Sequence, residues 1–252
     1  IFAFVPAFGK MISSTTFETS HHLAMALISK GHHFNVGTYS WPAIDEIRNA
    51  ILSYWYDVMP DSEYLLFVDS DMGFAPQVVL DMLAFGEPVV GAVYPKRTYP
   101  IEWAVSGLDP AVREVRGEFW EVEGLGAGCL LIRRDAITKM IDYYPDLIGN
   151  YVTLEDMKLA GVKRTLELFN KLQSPKGPVS EDISFCRRWR SAGGKVWGAC
   201  GHEITHVGQH PFTAGYLSHN AQAEQRKAEE AQRDAPTSMR KHLMGGDDQS
   251  AA

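Results

Sequence analysis

The sequence predicts an α/β fold, a mainly parallel mixed sheet of Rossmann-like type flanked by helices, and three observations carry that prediction. Short apolar runs alternate with amphipathic stretches through the first half, the pattern of βαβ units. The second half exchanges helices for closely spaced strand-like runs, which reads as an antiparallel extension of the same sheet. With 252 residues, 45% of them hydrophobic and 22% charged, the chain can bury a sizeable core.

The elements follow in order. Residues 1–5 are an apolar run closed by Pro6, a buried strand. A helix comes next, with Thr15 and Glu18 at capping-box spacing, an apolar stripe of Phe17, Leu23, Ala24, Leu27 and Ile28, and a stop at Lys30-Gly31. Residues 34–39 form a second strand. Pro42, Asp45 and Glu46 open a second helix carrying Ile44, Ile47 and Ile51. Residues 64–68 are the most apolar strand; Pro76 starts a helix that runs through Val79, Leu80 and Leu83 to Gly86, and 88–93 is a fourth strand.

Strands are then expected over 103–108, 114–122 and 129–133, followed by a mixed-polarity stretch over 144–177 with the composition of a mobile flap. A helix after Ser180 ends at Gly193-Gly194 and leads into a strand over 195–200. One domain is expected over 1–217. Past Leu217 large apolar residues almost vanish, so 218–252 reads as a polar tail, either helical with charge support or disordered.

Charge and cysteine usage narrow the function classes. The 24 basic and 31 acidic side chains give a net charge of −7, the wrong sign for a protein that binds by neutralising many phosphates, so nucleic acid is not an expected partner. Cys129, Cys186 and Cys200 are odd in number and widely spaced, which suits neither a disulfide framework nor a zinc site. No apolar run reaches the roughly 18 residues needed to span a bilayer. A reducing, cytoplasmic location is the expectation.

Asp69-Ser70-Asp71 follows the most apolar strand directly. Two carboxylates at the carboxyl end of a buried parallel strand lie in the crevice where open α/β sheets bind ligands, and their hard oxygens suit Mg2+ or Mn2+ bridging to a diphosphate. A solvated turn with an aspartate capping the following helix would use the same residues.

In their order along the chain, the motifs resemble those of GT-A type glycosyltransferases, which use nucleotide-sugar donors. They are Val5-Pro6-Ala7, Ile47-Arg48-Asn49-Ala50, Leu65 to Asp71, and Val90-Gly91-Ala92-Val93-Tyr94-Pro95-Lys96-Arg97. Gly124-Leu125-Gly126-Ala127-Gly128-Cys129, Ser180-Glu181-Asp182-Ile183-Ser184-Phe185 and His206-Val207-Gly208 complete the set, which covers 1 to about 208.

The resemblance implies a GT-A single domain with a nucleotide-binding half over about 1–97 and an acceptor-binding half over about 98–217. It implies a UDP- or GDP-sugar donor, a glycan or other hydroxyl acceptor, and a Mn2+ or Mg2+ ion. Asp71 would be the direct metal ligand, His206 the late metal-binding histidine, and Asp69 would sit nearer the ribose or a metal-bound water. Pro6, Ala7 and Ser70 would contact the donor; Arg48, Lys96 and Arg97 would lie near the nucleotide or diphosphate. Gly126-Ala127-Gly128 would form the small-residue loop beneath the donor. Glu181-Asp182 matches the motif whose carboxylate faces the acceptor hydroxyl, with Asp182 as general base in an inverting enzyme. A retaining transferase on the same fold, and a nucleotide-sugar-binding protein without turnover, are the alternatives.

Several motifs carry rival readings. Acidic residues after Ser180 are also what a helix N-terminus prefers. Glu155-Asp156 is a second acidic pair, in the mixed-polarity stretch and without a matching helix. His202-Glu203-Ile204-Thr205-His206 has zinc-protease spacing, but that chemistry needs a helix, and here β-branched residues in a strand-and-turn context surround it. The pairs His21-His22 and His32-His33 read as surface or packing residues. Trp103, Trp120 and Trp197 read as core, with stacking on an acceptor sugar the other use of such a ring.

Overall fold

The computed structural model describes residues 1–152, 154–208 and 211–234. The chain divides into two units, Ile1–Tyr216 and Leu217–Ala252. The first half supplies β1 (Phe2–Pro6), α1 (Ser14–Ser29), β2 (Asn35–Tyr39), α2 (Ile44–Val58), β3 (Tyr64–Val68), β4 (Met72–Phe74), α3 (Gln77–Phe85) and β5 (Val89–Ala92). Next come β6 (Val105–Gly107), β7 (Val115–Arg116), β8 (Phe119–Leu125), β9 (Cys129–Arg133) and α4 (Arg134–Tyr143). Short pieces follow: β10 (Ile148–Gly149), α5 (Glu155–Leu159), β11 (Thr165–Leu166), β12 (Gln173–Ser174) and β13 (Gly177–Pro178). The remainder is α6 (Glu181–Ser191), β14 (Val196–Ala199), β15 (Glu203–Val207), β16 (Pro211–Gly215) and α7 (Tyr216–Asp234).

The central sheet has the order β2-β1-β3-β9-β5-β14-β8-β6, with β7 also paired to β8. Pairs β1/β2, β1/β3 and β5/β14 are parallel, whereas β9 is antiparallel to both β3 and β5, and β8 to β14. The fold is therefore the expected α/β one with a mixed sheet, but β9 is not part of an outer extension. It lies in the middle, because Cys129, Leu130, Leu131 and Ile132 are all buried and a strand that is apolar on both faces belongs between two others. The antiparallel extension consists of β8, β6 and β7, the last two laid against β8.

Parallel alignment of β1, β3, β5 and β14 puts their carboxyl ends at one edge of the sheet. Beyond that edge a three-stranded sheet, β16-β15-β4, carries the residues that follow Asp71. Helix α1 clamps this region. Its cap is Ser13, which accepts from the Thr16 amide at 3.0 Å, and not the Thr15/Glu18 pair. Thr16, Thr19, Leu23 and Leu27 form its buried face, while Phe17 is 70% exposed and Ile28 faces solvent. The threonines face inward because they serve the chain beyond β3: Thr16 donates to the Met72 carbonyl at 2.9 Å and Thr19 accepts from the Phe74 amide at 3.3 Å. Gly73 permits the approach, since a Cβ there would lie 2.4 Å from Thr15 Cγ2.

The stretch expected as a flap is packed. Leu154, Met157 and Val162 form a small cluster with Ala50 of α2, and Leu166, Leu168 and Phe169 are fully buried. Polar residues of α2 tie it down: Ser53 accepts from the Leu166 amide at 2.8 Å and Asn49 from the Phe169 amide at 2.8 Å. The tail begins as the helix α7, with Gln225 and Glu229 joined at 3.1 Å one turn apart. The rest of the predicted tail, 235–252, lies outside the described residues.

Candidate active site

A cleft of about 260 Å³ opens at the carboxyl edge of β1 and β3. Half of its lining is apolar, Pro6, Ala7, Trp41, Pro42, Ile44 and Ile47, and the other half polar, Arg48, Asp69, Ser70, Asp71, Glu181 and Asp182. Each group arrives for a local reason. Asp69 ends the run of β3 and its amide donates to the Gly128 carbonyl at 3.0 Å, while the Met72 amide donates to the Asp69 carbonyl at 3.2 Å, so the acidic triplet is a tight turn. The Ser13 amide donates to the Ser70 carbonyl at 2.8 Å, which anchors the turn to the start of α1.

Arg48 joins the two acidic motifs. Its guanidinium donates to Asp69 Oδ1 at 2.8 Å and, through the other terminal nitrogen, to Glu181. Only 3% of its side chain is exposed, and its Nε has no hydrogen-bond partner among the described residues. Burial opposes the positive charge, but Asp69, Glu181 and Asp182 outweigh it and hold the guanidinium charged. Burial pushes the Glu181 carboxyl above the usual glutamate range, with Arg48 restraining the rise. Asp182, one residue on, is half-buried; its Oδ1 accepts from the Ser180 hydroxyl and from the Ile183 amide at 2.7 Å.

His206 reaches the same turn from β15. The register pairs it with Met72 of β4, and the Val207 amide donates to the Asp71 carbonyl at 2.7 Å. Its Nε2 stands 3.5 Å from Asp71 Oδ2. Its Nδ1 lies 2.9 Å from the Pro95 carbonyl, which can only accept, so Nδ1 carries the hydrogen. In the neutral ring, Nε2 therefore carries a lone pair within 3.5 Å of a carboxylate oxygen. Two acceptors this close suit a cation between them, and the carbonyl that fixes the tautomer is the usual support of a ligating histidine. Arg97 places Nη1 3.0 Å from the same Asp71 oxygen while half of its side chain is exposed. Among the described residues no group of three or more His, Cys, Asp or Glu is placed to hold a metal.

No protein-family model and no curated protein matches the chain. Solved structures do align with it. A197 from STIV does so at 17% identity and TM-score 0.44, covering 82% of this chain and 84% of that one. A glycosyltransferase involved in the glycosylation of the major capsid of PBCV-1 aligns at 14% identity and TM-score 0.33, over 64% and 74%. The 4-diphosphocytidyl-2C-methyl-D-erythritol synthase from Anaerococcus prevotii aligns at 12% and 0.33, over 75% and 95%.

Other residues singled out in the sequence lie elsewhere. Lys96 pairs with Glu102 at 3.0 Å and does not line the cleft, and Arg97 is the residue that meets Asp71. Gly126, Ala127 and Gly128 are buried and do not line the cleft. A Cβ at Gly126 would lie 2.1 Å from Tyr94 Oη and one at Gly128 2.8 Å from Tyr94 Cζ, so these glycines make room for a protein ring. The Gly128 amide donates to that hydroxyl at 3.2 Å, and burial, then Asp69, push the phenol well above its ordinary range.

Asp156 accepts from Tyr39 at 3.1 Å and does not line the cleft. His202 lies outside β15 and meets Asp81 at 3.1 Å, so it and His206 do not share a ligand site and the protease reading fails. Burial pushes all three cysteine thiols up to about 12, too high for a thiolate nucleophile. Trp197 is fully buried, whereas Trp103 and Trp120 are half-buried. Two contributions had no sequence signal, the Pro95 carbonyl behind His206 and Trp41 in the cleft lining.

Proposed function

We propose that the chain is a metal-dependent glycosyltransferase that moves a sugar from a nucleoside-diphosphate sugar to an acceptor hydroxyl, with Asp182 as general base and inversion at the anomeric carbon. The observation that carries this reading is His206 Nε2 3.5 Å from Asp71 Oδ2, with Nδ1 committed to the Pro95 carbonyl, where Asp71 lines a cleft at the carboxyl edge of the sheet. Charge supports it. The cleft holds Asp69, Asp71, Glu181 and Asp182 against Arg48, with Arg97 at the rim, an excess of two acids over arginines that would repel a diphosphate.

Asp71 and His206 would hold a Mn2+ or Mg2+ ion, which when bound supplies positive charge that stabilises the departing diphosphate. The chain's own residues account for the rest. Pro6, Ala7, Trp41 and Pro42 offer an apolar surface for the nucleoside. Arg48 fixes Asp69 and Glu181 in place and so sets the start of α6 that carries Asp182. Asp182 takes the proton of the acceptor hydroxyl as its oxygen bonds to the anomeric carbon and the bond to the nucleoside diphosphate breaks. Arg97 is long and exposed enough to leave Asp71 for the phosphates. The test is release of UDP or GDP from a panel of nucleotide sugars with Mn2+, with and without an acceptor. Donor binding without any diphosphate release would leave a binding protein in place of a transferase.

A further inference from the structure

A second cavity, of about 380 Å³, lies against β6 and β8 at the same edge of the sheet as the cleft, beyond the ends of β5 and β14. Its size falls within the range of small-ligand pockets, about 300–1,000 Å³. Trp103, Trp120 and Tyr216 meet there edge to face, Tyr216 lying 5.0 Å from Trp103 and 5.6 Å from Trp120 between ring centroids. All three are half-buried, unlike the core rings Trp55 and Trp197, which are fully enclosed. Arg113 lies over Trp120 at 4.1 Å.

We infer that this cavity is a carbohydrate-binding site that holds one neutral pyranose ring of a glycan against Trp103 and Trp120. Rigid aromatic faces suit the C–H faces of a sugar, and charged side chains at the rim supply both donors and acceptors for its hydroxyls. The charges do not select an ion: among the side chains that line the cavity, Lys96 and Arg113 balance Glu102 and Glu121, and Lys96 meets Glu102 at 3.0 Å. A cationic ligand would want a surplus of acids, and a phosphorylated one a surplus of bases.

The loop from Pro95 to Trp103 separates this cavity from the cleft. Pro95 bridges to Trp103, while its carbonyl holds His206 and Arg97 meets Asp71. A glycan seated here is thus one turn of chain away from the candidate metal ligands. That it is the acceptor rests on the transferase reading; that it binds does not.

Saturation-transfer NMR with the whole chain and the methyl α- and β-pyranosides of glucose, galactose, mannose, fucose and xylose tests the inference. At least one should receive saturation, and Trp120→Ala should weaken it by roughly five- to tenfold, the scale of one aromatic contact. Gly107→Tyr is an independent variant that retains every aromatic: Gly107 lines the cavity and a Cβ there meets nothing within 4 Å, so the new ring should block binding. Absence of binding by the unmodified chain, or binding unchanged in both variants, would overturn the site. A parallel titration with UDP and GDP in Mn2+ reports on the cleft alone, so its failure would count against the transferase reading and leave the sugar site standing.

Discussion

Arg48 donates to Asp69 at 2.8 Å from inside the core, and the same guanidinium reaches Glu181 at the start of α6. One buried cation thus links the turn after β3 to the helix that carries Asp182. Removing one member of a buried charge cluster leaves the others uncompensated, so Arg48→Met should destabilise the fold by about 3–5 kcal/mol. Arg48→Lys should recover little of it, because an ammonium cannot fork to two carboxylates. Urea unfolding checks both, and near-normal stability of Arg48→Met would refute the linking role.

The candidate metal pair gives the second expectation. Chelation should abolish UDP or GDP binding, and His206→Ala and Asp71→Asn should each weaken Mn2+-dependent binding by ~10-fold or more. Calorimetric titration with and without EDTA makes the comparison. Undiminished nucleotide affinity after chelation would remove the metal from the account.

For catalysis, Asp182→Asn preserves shape and the Ser180 contact but not proton acceptance. Turnover should fall by ~10²-fold or more with donor affinity little changed. Asp156→Asn, which removes a charge but keeps an acceptor for the Tyr39 hydroxyl, should be close to normal. Product stereochemistry by NMR accompanies the kinetics; retained configuration would rule out Asp182 as the base whatever its mutant does.

The glycine loop makes a stability prediction. Gly126→Ala would drive a Cβ into Tyr94, and overpacking of this kind costs about 1–3 kcal/mol. In Tyr94→Phe the hydroxyl is gone, so the same alanine should cost less. A double-mutant cycle measures the coupling, and strictly additive effects would mean that the two do not meet.

Acid titration offers the fifth. Glu114 accepts from Arg116 at 2.5 Å and Lys195 at 2.6 Å, contacts that pull its carboxyl from the ordinary 4.5 to about 2. A depressed folded-state pKa gives stability that is present above 4.5 and lost as pH falls toward 2. Side-chain NMR should place the midpoint near the lower value, and high salt should raise it, since all three groups are solvent-accessible. In Glu114→Gln, stability should fall less steeply over that interval. An ordinary midpoint at low salt would contradict the pairing.

Much of the fold was legible in the chain. Apolar runs such as 64–68, the helix openings at Pro42 and Ser180, and the change of character in the second half follow from local periodicity and turn chemistry. So did the position of each acidic motif relative to its strand or helix, because a strand end or a helix start is a local property.

What the tertiary structure alone decided was adjacency. Insertion of β9 between β3 and β5, the burial of Thr16 and Thr19 of α1 in place of Phe17, and the docking of the 144–177 stretch onto Asn49 and Ser53 all depend on partners distant in sequence. The same holds for the site. That Arg97 and not Lys96 meets Asp71, that Gly126 and Gly128 make way for Tyr94, and that a proline carbonyl orients His206 are results of long-range packing, which local residue order does not encode by itself.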